Sequence, residues 1–397
     1  MAGALNGIRV LDLGRFIASP FCGALLADLG ADVIRVERPG GNEDRFLGFL
    51  MPIGYSYNFA NMNRNKRDIT LNFEKVEKAR QILLELVKYT DVVVQNFSPE
   101  AATAIGVTYE NFKTVKPDII FARISAFGTT GPYQHRIGFD QIMKGVSGAM
   151  SISGFSPTPT REQSNHIDYM TAALTAVGVI SALYHRAQTG EGQVVDTCLL
   201  QTGVTFMASV IAEWELAQMK RVQVGNRGYF VGPTDLYGTK DGKWLMLCLQ
   251  TNSIWRRFCK HIGREDLVKD PRLQTDFDRW EHRDIVDPVV AQWVASMTAS
   301  EVIAVSEKIP IPCGICYDQT EVAHDPQVEA IGALSQVPFP DGFTKVNVTS
   351  PPLKMSATPT KIYRSFPTVG QDNEEVYGKL LGYSKAELMK LKEEGVI

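Results

Sequence analysis

Cysteine is scarce in this 397-residue chain: its six cysteines are too few and too scattered for the disulfide framework that staples small secreted domains. Only Cys313 and Cys316 stand close together, in IPCGICYDQ. A zinc-binding CxxC needs a second pair or nearby histidines, and a redox CxxC opens a helix after a strand. Neither context occurs, so Pro312 and Gly314 read as a turn entering a strand, beside two reduced thiols. The HExxH, P-loop and EF-hand spacings are also missing, and no metal is expected. The first strand-to-helix turn, LGRFIASP, lacks the GxGxxG fingerprint, which argues against a nicotinamide or flavin nucleotide bound in the usual way. No basic run is interleaved with aromatics, and 41 Lys+Arg against 44 Asp+Glu leave a formal net charge of -3, so a nucleic-acid partner is not expected. The longest apolar run, near Ala172 to Tyr184, is shorter than the roughly 20 residues of a bilayer span. The N-terminus lacks a basic start followed by an apolar segment and a cleavage site. A cytoplasmic location without membrane partners is the expectation.

What is present is an ordinary globular composition, 44% hydrophobic and 21% charged, able to bury a large core. The N-terminal third alternates strand and helix patterns. IRVLDLG (8–14) reads as a strand, Ser19 and Pro20 as the cap and first position of a helix, and ADVIRVERPG as the next strand. A helix near Val76 to Tyr89, the strand DVVVQNF (91–97) and the stretch PDIIFARISAFG (117–128) repeat the pattern. The expectation is an α/β fold with a Rossmann-like parallel sheet. After about residue 225 the pattern changes: paired strands flank Lys240-Asp241-Gly242, and helices follow around Ser253 to Ile262 and Asp284 to Ala295. This reads as a smaller α+β domain over 225–330, following a large domain over 1–224. Asp325-Pro326-Gln327 opens another helix, Val337 to Pro359 reads as extended chain, and a last helix is expected around Asp372 to Leu381.

One helix carries the chemistry. In SNHIDYMTAALTAVGVISALYHRAQTGEGQ, Leu174, Val177, Ile180, Ser181 and Tyr184 recur at helical spacing, with small residues between them, and predict a buried helix ended by Gly190. Asp168 lies at its start. The local pattern explains Asp168 as a cap for the free first-turn amides; a carboxylate fixed there can also serve as a nucleophile.

The chain as a whole resembles the class III coenzyme A transferases, the formyl-CoA transferase and carnitine CoA-transferase family. The resemblance runs through LNGIRVLDLGRFIASPFCGALLADLGADVIRVERPG, NRNKRDITLN, QNFSPE, SAFGTTGPYQHRIGFDQIMKGVSGAM, HRAQTGEGQVVD, DPQ and the terminal LGYSKAELMKLKEEGVI. It implies a large domain built from both ends of the chain, with 331–397 returning to it, and two subunits interlocked as a homodimer. It also implies that Asp168 is the catalytic aspartate, passing CoA from an acyl-CoA donor to a free carboxylic acid through aspartyl anhydride and aspartyl-CoA thioester intermediates. Such transfer needs no permanently bound cofactor, only acyl-CoA as substrate.

For CoA, the resemblance points to Arg38, Leu71, Asn96 and Phe97. Asn96 and Phe97 also end a parallel strand, where such sheets place ligands. Lys66, Arg67 and Arg136 are candidate phosphate partners or a solvated basic face, and an arginine often found in the family is replaced by Ala104. Gly225 and Gly232 are candidates for the loop near the intermediate, with a hairpin-turn role favoured. Ile17 stands where formyl and oxalyl enzymes carry glutamine, which argues for a larger acid: dicarboxylic, hydroxy or aromatic. Racemases of the family carry His-Asp where this chain has Phe139-Asp140, so the absent imidazole favours transfer over racemisation. The alternatives are an acyl-CoA racemase or epimerase of the same fold, and a non-catalytic CoA-binding protein in which Asp168 is only a cap.

Overall fold

The computed structural model describes residues 3–339 and 345–397. The chain forms two compact units. One comprises Met1–Ala149, Gln163–Ala212 and Pro326–Ile397; the other comprises Met150–Glu162 and Glu213–Asp325. The second unit thus starts before residue 225 and also takes in a segment ahead of the Asp168 helix.

The first unit is built on six parallel strands: β1 (Arg9–Asp12), β2 (Asp32–Glu37), β3 (Arg67–Thr70), β4 (Val92–Gln95), β5 (Ile120–Ser125) and β6 (Val194–Cys198), in the order β3-β2-β1-β4-β5-β6. Both faces are covered, which is why the strands read as near-continuous apolar runs. Val10, Val92, Val94 and Ile120 pack to one side with helix α1 (Ala18–Asp28) and the long helix. Leu11, Val93 and Phe121 pack to the other side with the helix Glu77–Lys88 and the C-terminal helices Asn373–Leu381 and Lys385–Glu393. The direction of winding reverses between β1 and β4, so the chain leaving these two strands opens a crevice at their carboxyl ends, where such sheets bind ligands.

Two helix readings need correction. Helix α1 begins at Ala18 with Ile17 in the cap position, so Ser19 is not its cap and Pro20 falls in the third helical position. Proline is tolerated there because first-turn amides have no partner within the helix. The long helix runs His166–Thr189, 24 residues, long and apolar enough to match a membrane span and longer than the apolar run suggests. It lies on the sheet through its small residues: Ala172, Thr175, Ala176, Val179 and Ala182 are buried, while Leu174, Val177, Ile180 and Tyr184 are exposed. Small side chains allow close approach, and Gly178 backs directly onto Val195 of β6, where an added Cβ would lie 2.6 Å from a Val195 methyl. Gly190 ends the helix at φ 78°, as its spacing predicts.

The second unit carries an antiparallel sheet of β7 (Thr234–Gly238), β8 (Trp244–Cys248) and β9 (Cys313–Ile315), with the expected turn at Gly242 and the helices Asn252–His261, Arg283–Ala295 and Ala299–Lys308. Trp255, Phe258, Val286, Val290 and Val302 form its core. In the first unit, β10 (Leu334–Pro338) and β11 (Lys345–Thr349) pair antiparallel within the run expected to be extended. Residues 340–344 of that run lie outside the described residues.

Candidate active site

The crevice beyond β1 and β4 holds a cavity of about 180 Å³ lined by residues from six segments, among them Ile17, Asn96, Phe97, Arg136, Phe139 and Asp168. Asp168 is the third residue of the long helix, and it is not the cap. That task belongs to Asp140, whose Oδ2 accepts from the backbone N–H of Ile167 at 2.9 Å and of Asp168 at 3.3 Å. Asp140 is also paired with Lys144, one helical turn further on, at 2.9 Å. Because another carboxylate takes the amides, the Asp168 side chain is left to the cavity. Burial first, and the Asp140 charge second, push its pKa up from the ordinary range to about 7, with Lys144 opposing. The dipole of the helix would favour the ionised form; desolvation and the neighbouring charge outweigh it.

Another part of the cavity wall is a tightly held turn. Phe16 adopts φ 67°, a left-handed conformation that costs a non-glycine residue about 1–3 kcal/mol. Asn96 grips the residue before it from both sides, accepting from the Arg15 N–H at 2.9 Å and donating to the Arg15 carbonyl at 2.8 Å. The Phe16 N–H donates to Asp44 at 3.1 Å, and its ring meets Phe139 edge-on, centroids 5.5 Å apart. Helix α1 then starts with no side-chain cap at Ile17, and Ile17 and Ala18, at its uncapped end, both line the cavity.

Six of the residues singled out in the sequence, Ile17, Asn96, Phe97, Arg136, Phe139 and Asp168, therefore meet around one cavity. Arg38 and Leu71 do not line it. Arg38 is tied to Glu43 at 2.8 Å and to the Gly41 carbonyl at 2.9 Å, while the Leu71 side chain is buried in the core. Arg136 stacks on Tyr133 at 3.7 Å. Lys66 and Arg67 form no basic face: Lys66 is fully buried on Asp12, Asn63 and the Pro20 carbonyl, and Arg67 is paired with Asp32. Burial lowers the Lys66 pKa to about 8, against the pull of Asp12. In the second unit, Gly225 turns at φ 70° against the Phe155 ring, and the Gly232 carbonyl accepts from Arg279. Asp44 and Asp140 escape sequence reasoning, because each acts on residues almost thirty positions away.

Comparison with known proteins shows the family. The description "CoA-transferase family III" matches residues 5–373. The chain is 34% identical over 396 residues to the Succinyl-CoA--D-citramalate CoA-transferase of Chloroflexus aurantiacus, covering 99% of this chain and 98% of that protein. It is 32% identical to the Formyl-CoA:oxalate CoA-transferase of Streptomyces coelicolor over the full length of both. A crystal structure of a CAIB/BAIF family protein from Brucella suis superimposes with a TM-score of 0.83 at 28% identity, covering 96% of this chain and all of that one. The chain belongs to CoA-transferase family III and is an acyl-CoA:carboxylate CoA-transferase.

Proposed function

We propose that Asp168 is the nucleophile that carries CoA from an acyl-CoA to a free carboxylic acid. The observation behind this is a carboxylate facing an apolar cavity while Asp140 does the capping. An Asp168 oxygen attacks the thioester carbonyl; the C–S bond breaks, leaving an aspartyl anhydride and CoA thiolate. The thiolate attacks the aspartyl carbonyl and expels the donor acid, giving an aspartyl-CoA thioester. The acceptor carboxylate repeats the first step on this thioester, and the thiolate then takes the new acyl group and frees Asp168. Each high-energy bond is exchanged for another. The uncapped amides at the start of α1 are suited to hold the developing oxyanion.

The acids in this proposal are larger than formate and oxalate, with succinyl-CoA as donor and a hydroxy or dicarboxylic acceptor. The Ile17 side chain has no group to hydrogen-bond a small oxalyl substrate, and the citramalate enzyme is among the relatives. Racemisation needs a second proton carrier across the substrate. Phe139 has none to offer, Asp140 is engaged with the helix amides and Lys144, and His135 is paired with Glu100. We also propose a homodimer, on the strength of the exposed apolar stripe of the long helix.

Incubation with a panel of acyl-CoAs, trapping with hydroxylamine or borohydride and peptide mapping by mass tests the mechanism. Modification at Asp168 is expected. An active donor that leaves Asp168 unlabelled would sink the mechanism, and formyl-CoA with oxalate as the best pair would overturn the substrate assignment.

A further inference from the structure

Phe16 is the one non-glycine residue lining the cavity with a left-handed backbone. Such a conformation persists only where its surroundings hold it. The chain of contacts that holds it leads back into the sheet. The Phe16 N–H donates to Oδ2 of Asp44, which lies in the short 3-10 turn Glu43–Phe46 and is 6% exposed. Nη2 of Arg35 donates to both Asp44 oxygens at 2.8 Å. Arg35 itself cannot drift: it is fully buried in β2, its Nε donates to Glu37 at 2.8 Å, and its Nη1 reaches Asn63 at 3.2 Å and the Gly14 carbonyl at 3.4 Å. Glu37 is held in turn by Arg45 at 2.8 Å. A rigid strand, a buried arginine and a buried carboxylate thus end on one amide of a residue that lines the same cavity as Asp168.

We propose that Asp44 is a positioning residue for CoA transfer, acting through the Phe16 amide to hold the turn 14–17 so that the Phe16 ring and the first amides of α1 face the reacting group. This rests on the reading of Asp168 as the nucleophile. Asp44 does not line the cavity that Asp168 lines; its contribution is that a turn free to relax from the left-handed form would swing Phe16 and the Ile17 amide away together.

Asp44→Asn and Asp44→Glu, each alone and combined with Phe16→Gly, test this in the full-length protein. The first keeps the shape and removes the charge; the second keeps the charge on Arg35 and displaces the oxygen. Glycine accepts φ 67° without strain, so in its background the clamp has little left to do. Each Asp44 variant should lower kcat roughly 10- to 100-fold, with KM for acyl-CoA within about threefold of the parent. In the Phe16→Gly background the same change should cost less than about threefold. Hydrogen exchange of a peptide covering 13–17 should speed up in the Asp44 variants, while that of 8–12 stays as in the wild type. Unchanged kcat, equal losses in both backgrounds, or failure of both variants to fold would each overturn the proposal. A wild-type protein that moves no CoA overturns the nucleophile reading instead, so the two failures are told apart.

Discussion

Desolvation and Asp140 outweigh Lys144 at Asp168, so this carboxylate is harder to ionise than a surface aspartate and correspondingly more reactive once ionised. The transfer reaction needs the ionised form, so kcat/KM should climb with pH on an acidic limb centred at about 7. Asp140→Asn keeps an oxygen for the Ile167 and Asp168 amides, removes the repelling charge and leaves Lys144 to pull alone; the limb should move below 7. A limb that stays in place in that variant would mean some other group sets it. Asp168→Asn should reduce transfer on the order of 10³-fold or more. It should also alter stability with a definite sign. Folded Asp168 keeps its proton to a higher pH than the unfolded chain does, so native protein binds more protons between about 3.9 and 7, and the residue costs stability as pH rises through that window. Asp168→Asn should therefore be more stable than wild type at pH 8, on the order of 1–3 kcal/mol, and no more stable at pH 4. Urea titrations at the two pH values give the comparison.

The long helix meets the sheet across a gap sized for small residues, and Gly178 marks its tightest point. Gly178→Ala gains about 1 kcal/mol of helix propensity. Against this stands overpacking of about 1–3 kcal/mol, because Val195 is β-branched and cannot swing its methyl aside cheaply. The net outcome should be a lower urea midpoint at an unchanged slope. The same helix explains what could be read locally and what could not. Its existence, its Gly190 end and the apolar strands β1, β2, β4 and β5 follow from spacing and composition, which act over a few residues. Which face it buries does not: Leu174 and Val177 look like core by hydrophobicity, yet the sheet takes Ala172 and Ala176 because only they allow the approach. Lys66 and Arg67 read as surface charge, since their partners Asp12 and Asp32 lie far back in the chain. The helix Lys385–Glu393 carries a local signal in the sequence, the capping box of Ser384 and Glu387.

At the scale of the whole molecule, the first unit gathers β1, β4 and the loops beyond them into one cavity while leaving the outer face of its longest helix apolar. Leu174, Val177, Ile180 and Tyr184 form a stripe on that face, and Met170 extends it toward the active-site end. Exposed apolar rows of this kind mark an interaction surface more often than a solvated one. A second copy of the chain is the proposed occupant, and that has a consequence for catalysis, because the covered helix is the one that presents Asp168 and is anchored by Asp140. Val177→Glu, 62% exposed and clear of the buried face, puts a charge in the middle of the stripe at little cost to the isolated chain. Light scattering coupled to size exclusion should find twice the chain mass for wild type and a concentration-dependent fall toward the single-chain mass for the variant. Transfer activity should fall with the dimer fraction and recover at high protein concentration, as mass action requires. A wild-type protein of single-chain mass at micromolar concentration removes the proposal. A dimer that Val177→Glu leaves intact moves the interface elsewhere, and with it the reason for an apolar face on the helix that carries the nucleophile.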